Sequence, residues 1–211
     1  METIAKIKNA WQPKLLDKNF RNRFFLSLIF LGVVLYSLAK FLAYNETRSG
    51  FAFNDPLLTL FHPADITWLT FGLIYVALII ALSWLSFHPD DFLLAIQSYT
   101  FVALFRLFTI FFLPLNAPAT IIPLIDPFVE YFGGGKTLYR DLFFSGHTSI
   151  MFLFFLTNRN KKLRPVFLAA TFMVGACVLI QHVHYTIDVL AAPFFAYTGF
   201  RIAVLLKPKD H

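Results

Sequence analysis

FFLSLIFLGVVLYSLAKFLA, residues 24–43, is twenty residues long and carries one charge, Lys40. A helix needs about 20 apolar residues to cross a hydrocarbon core roughly 30 Å thick, and this run supplies them. Five further stretches follow, at 66–87, 92–114, 142–157, 165–184 and 187–206. The run at 142–157 is short and polar at its start, and those at 92–114 and 187–206 each hold an arginine, Arg106 and Arg201. A membrane β-barrel would show short segments of strict apolar alternation. These runs are continuous, so helices are expected. The whole chain agrees: 58% of its 211 residues are hydrophobic and 14% are charged, against about 45–50% and about 25% in soluble domains. Twenty-eight Phe deepen that excess. A soluble domain, a disordered chain and, with Cys177 the sole cysteine, a disulfide scaffold are excluded. The expected fold is all-α: a polytopic integral membrane protein with six transmembrane helices in one bundle (24–206), preceded by a basic segment (1–23) and followed by a short tail (207–211).

In residues 1–23, Ile4, Ile7, Trp11 and Leu15 recur at helical spacing among Lys6, Lys8, Lys14 and Lys18. This predicts an amphipathic helix in the membrane interface, bent at Pro13; a frayed basic tail is the plainer reading. Orientation follows the basic residues. Twelve lie in 1–23, in the 158–164 loop and after Leu206; the opposite loops hold four, Lys40, Arg48, Lys136 and Arg140. Both termini are therefore expected in the cytoplasm, with the 115–141 loop facing outward.

Ionisable groups at membrane depth are costly and read first as functional. They gather in Arg140-Asp141-Leu-Phe-Phe-Ser145-Gly146-His147-Thr148 and in His182-Val-His184-Tyr185-Thr186-Ile-Asp188. The charge count, made without these motifs, puts both at the outer side. His184 and Asp188 stand four apart, on one helix face. A carboxylate on one imidazole nitrogen leaves the other as a directed base or nucleophile, and imidazole can take a phosphoryl group covalently. His147 could then serve as acid and base. Ser145, Gly146 and Thr148 suit a helix start that meets an anion. The scheme requires no metal and no cofactor. The competing reading makes His147, His182, His184 and Asp188 a transition-metal site.

These two motifs resemble the sphingomyelin synthase family, within the lipid phosphate phosphatase (phosphatidic acid phosphatase type 2-like) superfamily. The Asp141-to-Thr148 block is similar to that family's Asp-x-x-x-Ser-Gly-His-Thr, and His182 to Val189 to its His-x-His-Tyr-Thr-x-Asp-Val. Gly133-Gly134-Gly135 and Arg106 followed by Leu113-Pro114 look similar too. The likeness covers about 92–206. It implies six spans, an outward-facing site and a triad of His147, His184 and Asp188 with His184 as nucleophile. It implies transfer of a phosphoryl-headgroup from a phospholipid donor to a lipid alcohol such as ceramide, or to water in a lipid phosphatase or phospholipase C. The chain departs from the family in having Tyr139-Arg140 where Cys-Gly is usual, and it lacks the Lys-x6-Arg-Pro block of the wider phosphatases.

Other residues admit two readings each. Arg106, about 10 Å inside the outer end of its span at the helical rise, is either a phosphate clamp or half of a structural ion pair. Asp141 either meets the substrate or caps the fourth span. His182 has a packing or a direct role, Arg140 and Tyr185 are substrate-side candidates, and Arg201 can snorkel. The partners expected are the two lipids and the bilayer, with no nucleic acid.

Overall fold

The computed structural model describes residues 2–126 and 138–207. Gly133-Gly134-Gly135, Lys136 and the chain beyond Lys207 lie outside the described residues. Seven α-helices are present among those described: α1 (Glu2–Leu16), α2 (Lys18–Asn45), α3 (Thr67–Leu85), α4 (Pro89–Phe112), α5 (Gly146–Thr157), α6 (Leu163–Ile180) and α7 (Thr186–Leu205). Five of them, α2, α3, α4, α6 and α7, are long and apolar enough to cross a membrane. A belt of exposed side chains, including Phe30 and Val33 on α2, Val76 and Ile79 on α3 and Leu190 and Phe194 on α7, surrounds the bundle. A soluble monomer does not tolerate so extensive an apolar surface; a bilayer solvates it. The chain is an integral membrane protein.

The expected span at 142–157 differs. Its helix has only 12 residues, about 18 Å at the helical rise. Residues 142–144 are not helical, and neighbouring side chains satisfy two of their carbonyls: Thr109 Oγ1 donates to Phe143 O at 2.9 Å and Arg106 donates to Phe144 O. Irregular backbone is tolerated at membrane depth only where protein satisfies it in this way.

Local sequence sets the other boundaries. Asp17 caps α2 by accepting from Asn19 N at 2.9 Å. Pro89 opens α4 with Asp90 and Asp91 in its first turn, favourable positions for the ring and for acids beside a helix dipole. α1 does not bend apart at Pro13; it continues to Leu16. Ile7, Trp11 and Leu15 form its half-buried side, while Ile4 stays exposed. Trp11 Nε1 donates to Ser86 O at 2.7 Å, and its ring meets Phe24 and Phe92 edge-on.

α4 is the axis of the bundle, with α2, α5 and α7 packed on it; α5 also packs on α6 and α7, and α3 on α6. The α4–α7 contact depends on small residues. Ala192, Ala196 and Ala203 are fully buried, and a Cβ on Gly199 would sit 3.1 Å from Ser98 O. Small residues let two helices approach where lipid supplies no hydrophobic drive. α2 and α3 make little contact with each other.

Trp11→Ala removes both the indole hydrogen bond and the wedge between α2 and α4. It should make residues 2–16 sensitive to protease in detergent while helical content of the bundle is retained. Unchanged protection would show that α1 is held by other contacts.

Candidate active site

A cavity of about 280 Å³ opens at the level where α5 and α7 begin. Its polar side carries Arg106, Asp141, His147 and His184. Its apolar side is built by Leu38 and Leu42 of α2, Ile74 of α3 and Val102 of α4. The apolar walls thus come from α2, α3 and α4.

One backbone bond unites the two sequence motifs. Ser145 N donates to Asp188 O at 3.0 Å, so the starts of α5 and α7 lie side by side. Ser145 is the N-cap of α5 and accepts from Thr148 N at 3.4 Å and from Thr148 Oγ1 at 3.1 Å. Both side chains are buried and neither lines the cavity. The hydroxyls of Ser145 and Thr148, expected on the substrate side, bond each other within the cap of α5. The cap also takes the place considered for Asp141.

His184 and Asp188 pair as their spacing predicts. His184 Nδ1 donates to Asp188 Oδ2 at 3.3 Å, with both side chains buried. The same carboxylate oxygen accepts Tyr185 N at 3.1 Å, so Asp188 closes the first turn of α7 while it orients the imidazole. A proton held on Nδ1 leaves Nε2 of His184 with a free lone pair. His147, in the first turn of α5, packs edge-on to Phe71 at 6.1 Å. Its Nδ1 is buried without a hydrogen-bond partner, and an orphaned buried polar atom calls for a partner that arrives from elsewhere.

Arg106 forms the structural ion pair considered for it and also reaches the cavity. It is buried, pairs with Asp141 and donates to Phe144 O, yet it still lines the cavity. Gly146 is what lets it approach: a Cβ there would lie 2.8 Å from Arg106 Nη1. The guanidinium thus sits against the first turn of α5, where the N–H groups of Gly146 and His147 find no backbone acceptor among the described residues. A guanidinium and free helix-start N–H groups together form an anion-binding corner.

Three candidates lie elsewhere. His182 adopts a left-handed conformation (φ 54°) just past the end of α6. Its N–H bonds Leu179 O and the next N–H bonds Val178 O, both at 2.9 Å, the terminating pattern usually given to glycine. The turn sends its ring away from His184, to Thr120 and an edge contact with Phe61. Burial, partly opposed by Asp55, pulls its pKa below the ordinary value. His182 and Tyr185 line a different cleft, with Tyr185 stacked on Phe53 and its hydroxyl donated to Asn116 O at 3.0 Å. Arg140 does not line the cavity; its backbone holds the 139–141 segment to Glu46 and Asn45. Of the four residues of the metal reading, His182 accordingly lines one cleft and His147 and His184 the other. Among the described residues no group of three or more His, Cys, Asp or Glu is placed to hold a metal ion.

Two residues of the site were not read from sequence. Tyr99 lines the cavity from α4. Asp55 accepts Thr186 N at 2.6 Å and Thr186 Oγ1 at 3.0 Å, anchoring the start of α7 from 131 positions away. Nothing local to Asn54-Asp55-Pro56 announces that partner.

With this geometry in place, one comparison bears on the chain. Residues 140–204 match the family described as PAP2 superfamily C-terminal. The matched segment contains His147, His184 and Asp188 and both helix starts that carry them. It supports the phosphatidic acid phosphatase type 2-like superfamily and a lipid phosphatase or phosphotransferase type of activity. No curated protein and no solved structure matches.

Gly146→Ala should destabilise the protein by about 1–3 kcal/mol through overpacking against Arg106, measured by unfolding in detergent; wild-type stability would show that the guanidinium yields freely. Asp55 gives a pH test. Burial pushes its pKa up, but hydrogen bonds from Thr186 and Leu57 outweigh that and leave it below its ordinary 3.8. A depressed folded pKa contributes stability above the unfolded value, and this is lost as pH falls through the folded one. Asp55→Asn should therefore be less stable than wild type near neutrality, and the gap should close in strong acid. A gap independent of pH would remove the carboxylate charge as the cause.

Proposed function

We propose that this protein is a lipid phosphotransferase of the membrane, similar in chemistry to the sphingomyelin synthase family. It moves a phosphoryl-headgroup from a glycerophospholipid to the hydroxyl of a second, ceramide-like lipid through a phosphohistidine on His184. The observation that carries this reading is the cavity that holds His184, His147 and Arg106 on its polar side and Leu38, Leu42, Ile74 and Val102 on its apolar side. A phospholipid has that same division.

In the first step Nε2 of His184 attacks phosphorus and the bond from phosphorus to the glycerol oxygen breaks. The His184–Asp188 pair stabilises the positive imidazole that results. His147 gives its proton to the departing alkoxide, and diacylglycerol leaves. In the second step the acceptor hydroxyl loses its proton to His147 and attacks phosphorus, and the phosphorus–nitrogen bond breaks. Arg106 and the first N–H groups of α5 hold the non-bridging oxygens throughout. With the basic-rich end of the bundle in the cytoplasm, the cavity faces the outer leaflet or lumen.

A second reading ends the same way with water as acceptor, as a lipid phosphatase or phospholipase C. The superfamily match at 140–204 is compatible with either acceptor, while the apolar wall of the cavity favours a lipid acceptor. Purified protein given labelled ceramide and a set of phospholipids separates them. The proposal expects a sphingophospholipid with the donor's headgroup, and release of only phosphate or phospho-headgroup would overturn the transfer. His184→Ala should abolish turnover and acid-labile phosphate labelling. Asp188→Asn should retain the fold but slow turnover by a factor on the order of 10⁴, as loss of the orienting carboxylate does in protease triads. A near-wild-type rate would make Asp188 a capping residue alone.

A further inference from the structure

A larger cleft, about 490 Å³, lies at the other end of the bundle. Arg23, on its rim, precedes Leu38 of the catalytic cavity by four turns of α2, about 22 Å at the helical rise. The cleft is thus in the opposite leaflet. It is lined by four cations, Lys14, Arg23, Arg159 and Lys207, with the carboxylates of Asp17 and Asp90. These come from α1, the start of α2, the residues after α5 and α7, and the start of α4.

The charges do not cancel. Lys14 pairs with Asp90 at 2.7 Å and Arg159 with Asp91 at 2.9 Å, and Asp17 is spent as the cap of α2. Among the described residues neither Arg23 nor Lys207 has a carboxylate within ion-pair distance. Arg23 has only a 3.4 Å bond to Leu206 O. Lys207 is half-buried, and burial and the neighbouring Arg159 charge pull its pKa below the ordinary lysine value. Four cations against Asp17, Asp90 and Asp91 leave one positive charge, the complement of one phosphodiester. Phe20, Leu93 and Leu94 give the cleft an apolar floor, and Gln97 presents a buried Oε1 without a partner.

We infer that this cleft binds the phosphate of a phospholipid from the leaflet opposite the catalytic cavity. Arg23 and Lys207 take the phosphate oxygens, Gln97 Oε1 accepts from a headgroup hydroxyl or ammonium, and the apolar floor receives the glycerol end. A free phosphate would match the cations but not the floor. The bound lipid ties together the far ends of α5 and α7, the two helices whose starts carry His147 and Asp188. It lies too far from His184 to be substrate, and the inference stands whatever chemistry the cavity performs.

The test is thermal unfolding of the full chain in detergent, titrated in separate arms with phosphatidylglycerol, diacylglycerol and inorganic phosphate. Phosphatidylglycerol should raise the midpoint saturably, and the other two should not. Arg23→Gln combined with Lys207→Gln should weaken the apparent lipid affinity about 30-fold, from the usual contribution of each interfacial cation. Lys207→Gln alone, beyond the last helix and safe for folding, should weaken it about fivefold. Wild-type affinity in these variants, an equal shift with diacylglycerol, or a full shift with inorganic phosphate would each overturn the inference.

Discussion

The hydrogen bond from Ser145 N to Asp188 O is the constraint on which the candidate site depends. It joins two chain segments over forty residues apart at the points where each turns into a helix. Because both partners are backbone groups, the geometry of His147 and His184 is set by helix starts rather than by flexible side chains. The bond also explains why α5 is short. For Ser145 to reach Asp188, residues 142–144 must leave the helical path, and Arg106 and Thr109 satisfy the carbonyls thus released.

The electrostatics follow from that junction. Two helix starts side by side bring two positive dipole ends together, and Arg106 adds a full charge beside them. Left alone this would be a costly concentration of one sign at membrane depth. Asp188, Asp141 and Asp55 offset it from three directions: inside the first turn of α7, against the guanidinium, and on Thr186 from the loop between α2 and α3. The N–H groups of Gly146 and His147 are left without a backbone acceptor among the described residues. Asp188 closes the first turn of α7 and orients the His184 ring with the same carboxylate oxygen.

Much of this could be read in the sequence. The apolar runs place the membrane helices, because a bilayer demands length and hydrophobicity that few other environments select. His184 and Asp188 are legible as a pair, because four residues on a helix is a local distance. His182 was less tractable. It sits two residues from His184, but a left-handed turn after α6 points it into another cleft, and nothing in its spacing reveals that turn. Ser145 and Thr148 have the composition of a ligand-binding helix start, yet the same hydroxyls cap the helix. Tyr99 and Asp55 lacked any local pattern.

The sequence by itself determined the class of the molecule, the position of its membrane helices and the presence of two motifs able to carry acid, base and nucleophile. Those properties depend on composition and on periodicity within a few residues. Only the tertiary structure decided that the run at 142–157 shortens to α5, that Arg106 serves Asp141 and the cavity together, and that Asp55 holds the start of α7. Each of these rests on a contact between residues tens of positions apart or more, whose partners are chosen by packing and by the need to satisfy buried polar groups.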